Sequence, residues 1–216
     1  MVLDAAGEPV SERIRIKTPR PAEPQAVIDT VCAVARSQPG FDRVAVGFPG
    51  VVESGVVKTA PNLDGDWCDV PLAEALAQAL DRPCRVANDA DVQGYAVIEG
   101  IGVELVLTLG TGLGAALFTA GHLAPNLELG HHPFKSSQSY EDYVGEAARL
   151  EVGNERWSQR VREVITQVLP VWNPRNVYVG GGNAKHLTRS LPPGVQIVPN
   201  VAGILGGFHL WRDQPV

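Results

Sequence analysis

Alternating strands and helices predict an α/β protein, and three features of the 216-residue sequence carry that prediction. Apolar runs of strand length alternate with stretches whose apolar residues recur at helical spacing. Gly, Pro and Asn mark the changes between them. No internal repeat or low-complexity tract interrupts the pattern. The length leaves room for one sizeable core or two small lobes.

Met1-Val2-Leu3-Asp4 reads as the tail of a strand and Gly7-Glu8-Pro9 as a turn. Arg13-Ile14-Arg15-Ile16-Lys17 alternates with period two, which predicts a half-exposed strand with Ile14 and Ile16 on one face. A helix follows Pro24 with Val27, Ile28, Val31, Val34 and Ala35 as its buried stripe, and Pro39-Gly40 ends it. Val44-Ala45-Val46-Gly47-Phe48 is a buried strand, turned by Pro49-Gly50. A short strand at 56–59 runs into the loop Pro61-Asn62. A helix at 72–80 precedes a strand at 84–87, which delivers Asn88 and Asp89 to its end. The next helix, 89–99, starts on Asp89, where unpaired N–H groups favour a carboxylate.

Strands at 104–109 and 115–118 flank Gly110-Thr111-Gly112-Leu113-Gly114. The longest helix is expected at 155–169, amphipathic and rich in Arg and Glu. A strand at 176–179, the turn Gly180-Gly181-Gly182, a helix from Asn183, a strand at 196–198 and a helix at 201–211 complete the chain. Two lobes are expected: 1–88, with 200–216 packing back on it, and 89–199.

The composition, 44% hydrophobic and 19% charged, is that of an ordinary globular protein. A net charge of −6 gives no general attraction to nucleic acid or to an anionic membrane, so neither is expected as a partner. Phosphates would have to be held by local backbone N–H groups and a metal rather than by a basic field. No run approaches the roughly 20 apolar residues of a membrane span. The N-terminus has no basic segment followed by an apolar one. Cys32, Cys68 and Cys84 are widely spaced and form no Cys-x-x-Cys pair, which predicts reduced thiols in a cytoplasmic protein rather than a zinc site or disulfide framework.

Three constellations carry chemistry. Asn88-Asp89 stands where a strand-to-helix junction places side chains in a crevice. A carboxylate there can accept a hydroxyl proton during phosphoryl transfer while an amide holds a neighbouring hydroxyl; the alternative is that Asp89 only caps the helix. Asp91, in the same turn, is expected to be solvated or to serve as a second helix-start charge. The turn at 110–114 lies between two strands, so it is neither a dinucleotide fingerprint nor a Walker loop. Its alternate glycines let N–H groups converge on an anion, with the Thr111 hydroxyl as a further donor; the alternative is a glycine-rich hairpin. Glu128 and His131, separated by Leu129-Gly130, can present a carboxylate and an imidazole to adjacent sugar hydroxyls. Asn62 is either a further sugar contact or a turn residue, and Gly180-Gly181-Gly182 either packs on a nucleotide or simply turns the chain.

Pro49-Gly50, Pro61-Asn62-Leu63, Asn88-Asp89-Ala90, Gly110-Thr111-Gly112-Leu113-Gly114 and Glu128-Leu129-Gly130-His131 follow the order seen in the ROK family (repressors, open reading frames and sugar kinases), which this sequence resembles over about four-fifths of its length. Segments 178–183 and 201–207 are most similar to its polyphosphate-glucokinase-like branch. The resemblance implies a two-lobed actin-like, hexokinase-type (ribonuclease H-like) α/β fold. It implies Asp89 as catalytic base and Asn62, Asn88, Glu128 and His131 as sugar ligands. Gly110, Thr111, Gly112 and Gly114 would hold donor phosphates, and Gly180, Gly181 and Gly182 would line the nucleotide side. A hexose, a phosphoryl donor (ATP or polyphosphate) with Mg2+, and a homodimer are implied. The sequence departs from the family in two respects. It opens inside the second strand, so the first strand and its Asp-x-Gly-Gly-Thr turn are missing, by truncation or by true loss, which implies little or no transfer by the chain as it stands. The cysteine cluster that completes a zinc site in many members is absent after His131, which implies no zinc. The rival expectation is a non-catalytic sugar-binding protein that has lost the first phosphate turn.

Overall fold

The structure, a computed structural model, describes residues 1–124, 127–199 and 202–211. The chain divides into two compact units, Met1–Ala96 with Gly203–Val216, and Val97–Ala202.

In the first unit, α1 (Pro24–Arg36) opens on Pro24, whose missing N–H costs nothing in the first turn. β1 (Val44–Phe48) leads to a hairpin of β2 (Val52–Glu53) and β3 (Val56–Val57). Ser54 and Gly55, both at positive φ, make its two-residue turn. α2 (Leu72–Leu80) is followed by β4 (Cys84–Asn88), which pairs in parallel with β1 so that Phe48 lies opposite Asn88. Ile28, Cys32, Phe48, Val57, Trp67, Leu72, Leu76 and Val86 form the core. Cys32 is one of these core residues and makes no disulfide. Trp67 ties the 61–66 loop down: its indole N–H donates to the carbonyls of Asp64 and Ala22 at 3.0 and 3.2 Å, and its ring lies 4.9 Å from that of Phe48. Burying such a ring contributes about 2–3 kcal/mol toward holding the loop, where Leu63 also packs on the core.

α3 (Asp89–Tyr95) crosses β1 at Gly47, where a Cβ would stand 3.3 Å from the Asp89 Cα. It stops at Tyr95 instead of reaching Glu99. The Glu104 carboxylate captures the N–H groups of Glu99, Gly100 and Ile101 at 2.9, 2.7 and 3.1 Å, satisfying them outside a helix. The strand expected at 13–17 does not form. Among the described residues no neighbour supplies a ladder, so Ile14 and Ile16 stay 40% and 53% exposed. Alternation specifies a face only where a partner strand satisfies the backbone.

The second unit is built on a five-stranded sheet. β5 (Val103–Leu109), β6 (Leu113–Thr119) and β7 (His122–Ala124) form an antiparallel meander. A small hairpin of β8 (Pro133–Lys135) and β9 (Gln138–Ser139) leads into α4 (Tyr140–Val144), closed by a reciprocal Ser139–Asp142 capping box. α5 (Glu146–Trp172) begins well before the expected residue 155. Gly153, at φ 77°, breaks it into two abutting helices, and the first was not legible from periodicity. β10 (Asn176–Gly180) and β11 (Val195–Ile197) extend the sheet in parallel, giving the order β11-β10-β5-β6-β7. Trp157, fully buried, donates its indole N–H to the Val144 carbonyl at 2.8 Å and anchors α5 to the core. The helix expected from Asn183 is only a 3-10 turn, Ala184–His186, ended by the extended backbone of Leu187, and the Asn183 N–H donates to the Leu109 carbonyl at 2.9 Å.

α6 (Ala202–His209) returns to the first unit, where Gly206 rests on the Val92 carbonyl of α3. Arg85 donates to the Leu210 carbonyl at 2.6 Å, and the Trp211 ring lies 4.6 Å below its guanidinium. No described helix is long and apolar enough to cross a membrane.

Candidate active site

The first unit holds Asn62, Asn88 and Asp89. Asn88, not Asp89, caps α3: its Oδ1 accepts the Ala90 N–H at 2.8 Å, and its Nδ2 donates to the Gly50 carbonyl at 3.1 Å. An amide has two N–H donors and two lone pairs, so one of each is left for a ligand hydroxyl. Asp89 follows at the first helical position. Its side chain keeps solvent contact. Neighbouring protein nonetheless lowers the hydration of the carboxylate. This desolvation raises its pKa against the smaller pull of the Ala90 N–H and its own. Asp91, expected to be solvated or a second helix-start charge, is the latter: it lies in the first turn of α3 and is buried. Asn62 is exposed on the loop that begins where the Leu63 N–H closes onto Ala60, with Asp64 accepting the Ala22 N–H at 2.7 Å behind it.

The second unit brings the remaining segments together. Leu109 lies opposite Leu113 at the end of the β5–β6 ladder, leaving Gly110, Thr111 and Gly112 as the loop. Its carbonyls are engaged one after another. Leu109 O accepts the Asn183 N–H at 2.9 Å, Gly110 O the Asn183 Nδ2 at 2.9 Å, Thr111 O the Glu146 N–H at 3.0 Å and Gly112 O the Gly110 N–H at 3.1 Å. Among the described residues, the N–H groups of Thr111 and Gly112 donate to no protein acceptor. Two adjacent unused amides flanked by glycine form a concavity suited to an anion.

Gly181, at φ 87°, lies against the Leu109 backbone, where any side chain would collide, and so the 180–182 turn abuts the 110–114 turn. On the other side Gly130 rests on the Leu113 carbonyl. That contact seats the 3-10 turn Leu129–His131 against the same loop, with Glu128 Oε2 3.5 Å from His131 Nε2. A residue that sequence reasoning missed joins them. The Glu141 carboxylate fills the space a Cβ would need at Gly112 and lies 3.7 Å from one at Gly130. Glu146, Arg149 and Asn183 were also missed as site residues. Only the glycines around them, which permit the close approach, offered a signal.

Among the described residues no three His, Cys, Asp or Glu side chains cluster to hold a metal ion. Magnesium takes much of its octahedral shell from phosphate oxygens and water. The ion therefore fits this chain as part of a donor complex, and no side chain is assigned to it.

The model of the ROK family matches residues 1–140. The chain belongs to the ROK family. A polyphosphate glucokinase of Mycobacterium tuberculosis (strain CDC 1551 / Oshkosh) is 30% identical over 218 residues, covering 93% of this chain and 81% of that protein. The polyphosphate glucokinase of Mycobacterium leprae (strain TN) is also 30% identical, over 92% of this chain, which spans 64% of that protein's length. The inorganic polyphosphate/ATP-glucomannokinase of Arthrobacter sp. strain KM superposes with a TM-score of 0.85 at 32% identity, covering 96% of this chain and 91% of that one. The fold is thus that of the ROK sugar kinases, of actin-like and hexokinase type, and the branch expected from segments 178–183 and 201–207 is the one these relatives represent.

Proposed function

We propose that this ROK protein is a sugar kinase that moves a phosphoryl group from ATP or polyphosphate to the 6-hydroxyl of glucose or a similar hexose. The carrying observation is the division of labour at the start of α3: Asn88 supplies the cap, so the Asp89 carboxylate remains available. A carboxylate whose pKa is raised by lost hydration is a better proton acceptor than a fully solvated one.

In the proposed reaction Asp89 accepts the proton of the hexose 6-hydroxyl as its oxygen bonds to the donor's terminal phosphorus. The bond to the bridging oxygen breaks, and the shortened donor leaves with that oxygen's negative charge. The N–H groups of Thr111 and Gly112 hold donor phosphate, while magnesium, arriving with the donor, neutralises charge. Asn62 and Asn88 of the first unit and Glu128 and His131 of the second are the proposed ligands of sugar hydroxyls, and Glu141, beside Gly112 and Gly130 in the second unit, is a further candidate. Gly180, Gly181 and Gly182 flank the donor turn. The names of the relatives support both a sugar acceptor and an ATP or polyphosphate donor for this reading.

The test is 31P NMR of the complete gene product with magnesium, a panel of hexoses, and ATP or polyphosphate. A hexose 6-phosphate resonance growing with glucose or mannose is expected. Tight sugar binding with no phosphorylated product from either donor would leave a sugar-binding protein instead.

A further inference from the structure

The donor turn is braced from behind by side chains that the proposed reaction does not use. Both hydrogens of the Asn183 amide are committed, one to Gly110 O at 2.9 Å and one to Glu146 Oε2 at 2.7 Å. Glu146 is held in turn by Arg149, whose Nε and Nη2 donate to its carboxylate at 2.8 and 2.9 Å, and Arg149 Nη1 reaches Asn154 at 2.8 Å. These contacts keep the Glu146 carboxyl below the usual carboxylate range, the Arg149 hydrogen bond foremost.

The peptide group is planar and trans, so a carbonyl and the N–H that follows it point in opposite directions. The Gly110 carbonyl shares its plane with the Thr111 N–H, and the Thr111 carbonyl shares its plane with the Gly112 N–H. Asn183 Nδ2 on Gly110 O therefore aims the Thr111 N–H away from the brace. The Glu146 N–H on Thr111 O does the same for Gly112. Glycine at 110 would otherwise let that peptide rotate and turn a carbonyl oxygen toward an incoming anion.

We infer that Asn183 and Glu146, with Glu146 locked by Arg149, are positioning residues that set the affinity for condensed phosphate by fixing the direction of two loop amides. The inference rests on the reading of residues 110–114 as the donor-phosphate turn. None of the three touches the reacting atoms.

Calorimetric titration of the full chain with inorganic tripolyphosphate, and separately with glucose, tests both steps. Asn183→Ala removes the hydrogen bond that orients Thr111, and its loss should weaken tripolyphosphate binding about tenfold. Asn183→Asp should weaken it further by setting a carboxylate against Glu146, while glucose affinity stays within about twofold. Thr111→Pro, which deletes one of the two amides, tests the turn itself. If Thr111→Pro weakens tripolyphosphate and Asn183→Ala does not, the brace is overturned and the turn stands. If the unaltered chain does not bind tripolyphosphate, or Thr111→Pro leaves binding unchanged, the turn reading fails and takes the brace with it. Equal loss of both ligands with a lowered melting temperature would make Asn183 a structural residue and overturn the inference. Should Asn183 variants not fold, Glu146→Gln decides: it keeps the backbone bond to Thr111 but weakens the lock, and unchanged tripolyphosphate affinity would again overturn the proposal.

Discussion

Asn88 and Asp89 divide two tasks between neighbouring positions: the Asn88 Oδ1 takes the Ala90 N–H at 2.8 Å, and the Asp89 carboxylate is left out of the cap. Helix starts attract both residue types for the same electrostatic reason, so the sequence alone leaves the roles open. Side-chain direction shows that Asn88 is the cap. The stability of the two single variants should differ accordingly.

Asn88→Ala removes a cap and leaves the buried Gly50 carbonyl without its donor, and should cost about 1–2 kcal/mol. Asp89→Asn should cost nothing. The midpoint of denaturant unfolding reads both, and the opposite order would make Asp89 the cap.

The Asp89 pKa is raised in the folded protein above its ordinary value of 3.8, so the fold disfavours the ionised form. Below pH 3.8 the group is protonated in both states and has no effect; as the pH rises through the folded pKa, wild-type stability falls. Asp89→Asn removes that penalty. Its melting temperature should exceed that of the wild type at pH 7, with the difference closing as the pH approaches 3. A variant that is less stable at neutral pH would contradict the desolvated carboxylate.

Glu128 and His131 are paired at 3.5 Å with side chains 34% and 48% exposed. A pair so open to water contributes at most about 1 kcal/mol. Replacing either with Ala should leave the melting temperature nearly unchanged but raise the KM for hexose at least tenfold, since unpaired groups built for hydroxyls discriminate strongly. Collapse of the fold with normal sugar affinity would make the pair structural.

Glu104 is wholly buried, and its carboxylate takes three N–H groups and the Tyr178 hydroxyl at 2.9 Å. Desolvation is the largest single effect and pushes its pKa up. The Glu99 N–H, Tyr178 hydroxyl, Gly100 N–H and Ile101 N–H together outweigh it, and the net shift is downward. Its stabilising contribution is therefore present above the ordinary value of 4.5 and is lost as the pH falls through the folded pKa. Glu104→Gln should cost about 2 kcal/mol at pH 7 and much less at pH 3. A pH-independent cost would show that shape rather than charge matters there.

Strands β1, β4, β5 and β10 were legible because their apolar runs are bounded by Gly, Pro and Asn, and β5 and β10 lie within a residue of expectation, whereas the three-residue β7, with no such run, was not expected. The segment at 13–17 had equally good alternation and no ladder partner, which no local pattern can report. The start of α5 was hidden by Gly153, and the shortened α3 by Glu104, a carboxylate acting on backbone upstream of it. In the candidate site the glycines and paired polar residues were visible in the sequence. Glu141, Glu146 and Asn183 were not, because their contacts with the 110–112 loop join segments distant in the chain.

The most direct test of the sugar-kinase account is single-turnover transfer to glucose by the complete gene product, wild type against Asp89→Asn, with sugar affinity measured alongside. The account predicts that hexose 6-phosphate formation falls by about 10²–10⁴ while glucose affinity stays within about tenfold, as loss of a general base requires. A variant that keeps more than about half the wild-type transfer rate would contradict the assignment of Asp89 as the base, whose loss must cost far more.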